Sequence, residues 1–96
     1  MDIEREISRG SQAQELLEHP LMVEALQTLR SRIAEQWESS PARDKEGRES
    51  LWTMLKLLGN LEGHLREALE TGKLARLQLE QKQSALKQAK EWIGMR

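Results

Sequence analysis

Two histidines are the side chains in this sequence best suited to proton transfer or metal binding near neutral pH. His64 lies in the segment LEGHLRE, with Glu67 three residues later and Asn60 four residues earlier. A zinc ion needs more ligands than this one helical face supplies, so we predict a surface or interface histidine. His19 precedes a proline, and we predict that it is a loop or helix-cap residue. The chain has no cysteine, which removes disulfides and thiolate metal sites.

The sequence also lacks the motifs of common catalytic sites. It contains no GxSxG segment, no glycine-rich phosphate loop and no HExxH segment. Its glutamates are scattered over polar helical faces and do not form an inward-facing set of carboxylates. We therefore predict a protein that is not an enzyme and that uses no metal and no cofactor.

Positive charge is concentrated at the C-terminal end of the chain. Residues 71–96 hold six basic and two acidic side chains, whereas residues 1–70 hold nine basic and fourteen acidic ones. Arg76, Lys82, Lys87 and Lys90 are the candidates for contact with nucleic-acid phosphates. Glutamines are interleaved with these cations and no helix-turn-helix pattern accompanies them, so the outer face of a coiled coil is the alternative interpretation.

Helical periodicity runs through nearly the whole chain, and no stretch alternates in the manner of a strand. Pro20 suits the first turn of a helix that should end near Ser39, where the turn-like segment SSPARD begins. Asp44 is a good N-cap for the helix that follows. The first of these helices carries an apolar face composed of Met22, Leu26, Leu29, Ile33 and Trp37.

Residues 1–19 are predicted to form an N-terminal arm with a short helix. Ile3 and Ile7 lie four residues apart, but Gly10 should interrupt any helix that contains them. Ser11 and Gln14 form a capping-box pattern, which places the start of the short helix near residue 12.

An apolar seam with alternating steps of four and three residues extends over most of the second half of the chain. Ten of its twelve positions are apolar, and Gly72 and Lys82 are the exceptions. Its members are Met54, Leu58, Leu61, Leu65, Ala68, Gly72, Ala75, Leu79, Lys82, Leu86, Ala89 and Ile93. A sustained period of 3.5 residues is typical of coiled coils, and the small residues near position 72 would let a partner backbone approach closely. We favour one long helix with a weak point at residues 71–72, although Gly72 could also end one helix before another begins.

These patterns predict one all-α domain over residues 1–96. An antiparallel helical hairpin over residues 20–70 should be followed by a C-terminal helix over residues 71–96, in a coiled-coil-like homo-oligomer. The predicted self-association residues are Leu65, Ala68, Ala75, Leu79, Leu86 and Ile93.

The three tryptophans, the only aromatic residues, divide into two groups. Trp37 and Trp52 should lie near the hairpin tip and contribute to core packing. Trp92 and Met95 are harder to bury within one chain, and we predict that they contact a partner. No apolar run is long enough to cross a bilayer, and the N-terminal segment MDIEREISRG has no apolar signal core, so we expect a soluble cytoplasmic protein.

The segment SPARDKEGRESLWTMLKLLGNLEGHLREALETGKLARLQLE resembles a group of small helical proteins encoded by tailed bacteriophages and prophages. The likeness rests on the opening Ser40–Trp52, the apolar run Leu51–Leu58 and the ending Thr71–Leu79, and it covers residues 12–80; Gly47 departs from the pattern. It implies a protein of the virion-assembly and packaging region, located in the host cytoplasm or in the virion. Because that group mostly has no assigned activity, no site residue is carried over.

Three functions are compatible with these observations. The first, which we favour, is a non-enzymatic structural or assembly protein that binds itself and another virion or packaging component through helical surfaces. The second is a nucleic-acid-binding packaging adaptor that uses the basic C-terminal helix. The third is a small phage regulator that binds and inhibits a host protein.

Overall fold

The computed structural model describes residues 2–94, which form three α-helices. Helix α1 spans Ile3–Glu18, α2 spans Pro20–Ser39 and α3 spans Lys45–Gly94. Both α1 and α2 run antiparallel to α3 and lie along successive parts of it, α1 beside its middle and α2 beside its first part. The predicted all-α class with an antiparallel hairpin and a long C-terminal helix is confirmed.

Short polar residues set the helix boundaries. Asp2 caps α1, since its side chain accepts a hydrogen bond from the Glu4 N–H at 3.2 Å. His19 caps α2 by accepting the Leu21 N–H at Nδ1, also at 3.2 Å, which confirms the predicted cap role of this histidine. The carboxylate of Asp44 accepts the Gly47 N–H at 3.1 Å at the start of α3.

Helix α1 is longer than the sequence predicted, because Gly10 does not interrupt it and Ser11 lies inside it. The reason is tertiary: Gly10 is buried against Gly72 of α3, where a side chain would prevent the two helices from approaching. The packing of α1 on α3 therefore offsets the low helix propensity of glycine.

Helix α3 continues without a break through Gly72, as we favoured. Good helix formers lie on both sides of this glycine, and its backbone is covered by α1. The glycine that looked like a weak point is thus the position at which another helix comes closest.

The molecule is a rod with extents of 81 × 24 × 16 Å and a radius of gyration of 22.0 Å. A compact domain of this length would have a radius of gyration of about 12.5 Å. Few side chains are withdrawn from water: among residues 2–94 the buried apolar side chains are Ala13, Leu26 and Ala75. One copy of the chain therefore forms a thin contact between helices instead of a thick core.

Arg48 joins the two helices at the hairpin tip. Its Nη1 donates to the Trp37 carbonyl oxygen at 3.3 Å and to the Ser40 Oγ at 3.0 Å, and its guanidinium lies 4.0 Å from the Trp37 ring centroid. Trp52 is 56% exposed, with the ammonium of Lys56 5.3 Å from its ring centroid. Both tryptophans remain exposed, so the prediction that they contribute to core packing is wrong.

Candidate interaction surfaces

Helix α1 covers the middle of the apolar seam on α3. The closest approach is between two glycines: a Cβ built on Gly72 would lie 2.7 Å from the Gly10 Cα, and one built on Gly10 would lie 2.8 Å from the Gly72 Cα. Ala13 and Ala75, which are also small, are buried on the same contact. Small residues on both helices let the two backbones come this close.

The covered seam, as we call Leu65, Ala68, Gly72, Ala75 and Leu79, includes four of the residues predicted to mediate self-association. Ala75 is 1% exposed and the other three are half-buried. Their cover comes from α1 of the same chain, with Arg9, Ala13 and Leu16 beside Leu65 and Ala68. Part of the surface predicted to bind another copy is therefore used within one copy.

The N-terminal sequence contains the apolar pattern of the helix that covers the seam. Ile3, Ile7, Gly10, Ala13 and Leu17 recur every three or four residues and are all half-buried or buried in the structure. This row has small residues at its centre, as does the covered seam. The glycine at position 10 concealed it, because a glycine in a helix interior normally argues against a helix.

The C-terminal extension, residues 80–94 of α3, has no such cover. Every residue in it is exposed, and α1 does not reach it. The seam continues along it through Leu86, which is 56% exposed, and Ile93, which is 65% exposed. Trp92 is exposed beside Ile93. Met95, predicted to contact a partner with Trp92, lies outside the described residues.

A second uncovered apolar row lies on α3 before the covered seam, on its N-terminal side. We call Met54, Leu57 and Leu61 the open flank; they are spaced three and four residues apart and lie on one side of α3. All three are exposed, Leu57 to 62%. At the end nearest the hairpin tip, a shallow depression is lined by Glu46, Glu49, Ser50, Thr53 and Met54. The open flank thus combines apolar side chains with carboxylates at one end.

The junction between α1 and α2 carries a smaller apolar surface. Leu16 and Leu21 are exposed there and line a depression together with His19, Met22 and Ala25.

The four basic side chains proposed to contact nucleic acid are exposed, but they do not all lie on the same side of α3. Lys87 and Lys90 lie three residues apart on one side of the C-terminal extension, and helical spacing puts Arg76 on the same side. Arg76 lines a groove between α1 and α3 together with Gln14. Lys82 lies in the seam itself.

An ion pair fastens α2 to α3. The Arg30 guanidinium lies 2.8 Å from the Glu62 carboxylate. The hydrogen bond from Arg30 lowers the pKa of the Glu62 carboxyl below its ordinary value, against the opposing effect of partial burial. The same contact raises the pKa of Arg30. Since the arginine is well exposed, this pair positions the helices more than it stabilises them.

No group of three or more His, Cys, Asp or Glu side chains within residues 2–94 is arranged to hold a metal ion. His64 is exposed and lies beside Gln12 of α1. None of the helices in the described part of the chain is long and apolar enough to span a membrane.

Comparison of the chain with protein-family models, with curated proteins and with solved structures finds no significant match.

Proposed function

We propose that this protein is a non-enzymatic assembly protein of a tailed bacteriophage, which binds copies of itself and another virion or packaging component through helical surfaces. The bacteriophage setting rests on the sequence resemblance of residues 12–80. The mode of action rests on the extended shape and on the uncovered apolar rows of α3.

One observation carries the proposal: the chain exposes far more surface than a compact monomer of its length. Its accessible surface is 8014 Å², whereas a compact monomer would expose about 5,700 Å². The surplus of roughly 2,300 Å² per chain exceeds the roughly 800 Å² that each partner buries in a standard protein–protein interface. The apolar part of this surplus is arranged in rows at helical spacing, which is the form in which helices bind other helices.

Self-association is proposed to use the ends of the seam that α1 leaves uncovered. Leu86 and Ile93 are the predicted self-association residues that remain exposed. The partner component is proposed to contact Trp92 together with Met95. Tryptophan is suited to this role because it brings a large contact area at a low cost in conformational entropy.

The test is the absolute mass of the protein in solution, measured by light scattering after gel filtration over a range of concentrations and salt. We expect a mass above that of one chain that persists at high salt, because apolar contacts are not screened. A mass of one chain at every concentration would contradict self-association.

Exposed lysines on an uncovered helix favour a second candidate, a packaging adaptor that contacts nucleic acid through Arg76, Lys82, Lys87 and Lys90. This function predicts DNA binding that weakens steeply between low and moderate salt. A variant with glutamate at all four positions should then lose binding. Unchanged binding by that variant in a mobility-shift titration would remove this candidate.

A further inference from the structure

We propose that the C-terminal extension of one copy packs, in the parallel direction, on the open flank of the next copy, so that the chains associate head to tail. This inference rests on the proposed self-association and specifies how it occurs. It assigns a second copy of the chain as the occupant of both uncovered surfaces.

The two surfaces match in length. The C-terminal extension is about 22 Å long at 1.5 Å per residue, and the stretch of α3 from Glu46 to Leu61 is about 24 Å long. The stretch is bounded by the hairpin tip at one end. At the other end, Leu17 and Glu18 of α1 reach the level of Glu62.

The two surfaces also lie along one seam, which includes Met54 and Leu61 of the open flank but not Leu57. Met54 and Leu61 precede Ala68 and Ala75 at intervals of seven residues, and Ala89 follows Ala75 after two such intervals. In the middle of that seam the chain already binds a helix, α1, through the same spacing. Docking of the extension on the open flank places Leu86, Ala89 and Ile93 against Met54, Leu57 and Leu61.

The position of α1 sets the direction. In an antiparallel arrangement, residues 62–79 of the second copy would continue into the space that α1 of the first copy occupies. In the parallel arrangement they continue past the hairpin tip, away from α1.

Charge supports the same direction. The parallel arrangement brings Lys82, near the start of the extension, to the depression lined by Glu46 and Glu49. Two extensions paired in parallel with each other would instead place Lys82 against its own copy in the seam, and like charges there are unfavourable. The extension is therefore complementary to the open flank and poorly complementary to a second extension that runs parallel to it.

Because the contact joins two different surfaces, an open assembly has one unused extension at one end and one unused flank at the other. Such heterologous contacts build rings when the rotation between copies closes and filaments when it does not.

The test uses two full-length variants. The extension variant carries Leu86→Glu and Ile93→Glu, and the flank variant carries Leu57→Glu and Leu61→Glu. All four side chains are exposed in one chain, so circular dichroism should show the helicity that the wild-type protein has when dilute. A control variant carries Gln81→Glu and Gln88→Glu, which add the same charge on the side of the extension away from the seam.

We expect each variant alone to have the mass of one chain, because every contact needs one intact surface of each kind. An equimolar mixture should form a complex of two chains and nothing larger, since one intact extension then meets one intact flank. The control variant should retain the mass of the wild-type assembly.

Other outcomes overturn the inference in distinguishable ways. If the extension variant has the mass of one chain while the flank variant assembles normally, extensions pair with each other and only the head-to-tail mode fails. The head-to-tail mode also fails if both variants assemble normally, because neither surface is then needed for assembly. It fails as well if both variants have the mass of one chain and their mixture does not combine. If the wild-type protein has the mass of one chain throughout, the proposed self-association fails as well.

Discussion

The covered seam and the C-terminal extension are two parts of one apolar row on one helix, and they differ in what lies against them. Around Gly72 the row is packed against α1 so closely that a single methyl group would not fit. From residue 80 onward the same row is exposed to solvent. The seam is therefore covered within the chain where α1 supplies matching small residues, and it is exposed where α1 does not reach.

The largest expected effect comes from placing a charge at equivalent positions of the two regions. Ala75→Glu should destabilise the fold by about 3 kcal/mol or more, because the carboxylate would be buried without a partner. At a dilution at which the chains are separate, Ala89→Glu should change stability by less than about 0.5 kcal/mol, since this position is exposed in one chain. Thermal unfolding followed by circular dichroism measures both. Equal losses of stability in the two variants would contradict the difference in cover.

A smaller effect is expected from Gly72→Ala. The added methyl group would collide with the Gly10 backbone and push α1 away, for a net loss of about 1–2 kcal/mol. That corresponds to a fall in Tm of roughly 5–15 °C.

Gly59→Ala is the matched control, since a Cβ there meets nothing within 4 Å. It should raise stability by up to about 1 kcal/mol through helix propensity. Thermal unfolding of both variants at one protein concentration should show a lower Tm for Gly72→Ala and a higher Tm for Gly59→Ala, because only Gly72 contacts α1. A higher Tm for both variants would contradict the close contact between α1 and Gly72.

At and near the hairpin tip, two cationic side chains lie over tryptophan rings, and they are expected to differ in how much they stabilise the fold. Arg48→Ala should cost about 1 kcal/mol, because it removes hydrogen bonds to the end of α2 as well as the contact with Trp37. Lys56→Ala should cost less than about 0.5 kcal/mol, since its contact with Trp52 is exposed and more distant. Chemical unfolding of both variants checks the order, and a larger loss from the lysine would contradict it.

The smallest expected effect is a change in how the free energy of unfolding depends on pH. Because Arg30 lowers the folded-state pKa of Glu62 below the ordinary value of 4.5, the unfolded chain binds the proton more readily. The stabilisation from this carboxylate is therefore complete above that ordinary value and is lost as the pH falls through the lowered pKa.

Glu62→Gln should make the free energy of unfolding less dependent on pH between about pH 6 and about pH 3. Arg30→Met should have the same effect, since it removes the other partner. Unchanged pH dependence in both variants, measured by chemical unfolding, would show that the pair does not link α2 to α3 in solution.

Much of the fold could be predicted because local chemistry decides it. Pro20, Ser39 and Asp44 mark helix boundaries through backbone rules that operate within a few residues, and the structure agrees with them. The long period of the seam also predicted a continuous α3. The helix that covers the seam could not be predicted from this period. The period indicates that the apolar row packs against a helix, but it does not indicate whether that helix belongs to the same chain or to another molecule.

Gly10 and Ser11 show why the N-terminal prediction was wrong. Both residues weaken a helix in isolation, and the compensating contact with Gly72 lies far away in the sequence. The prediction for Trp37 and Trp52 was wrong for a related reason. An aromatic side chain is buried only where another helix packs over it, and the sequence does not show where that happens. The roles of Trp92 and Met95 remain predictions.

Hydrogen–deuterium exchange of the wild-type protein at low and high concentration distinguishes the part of the seam that α1 covers from the part that is exposed in one chain. We predict that amides of residues 62–79 are protected at both concentrations, because α1 covers them within one chain. Amides of residues 80–94 should exchange rapidly when dilute and become protected as the concentration rises. If protection of the two regions rises together, or if residues 80–94 are protected even at high dilution, the division of the seam into a covered part and an exposed part is wrong.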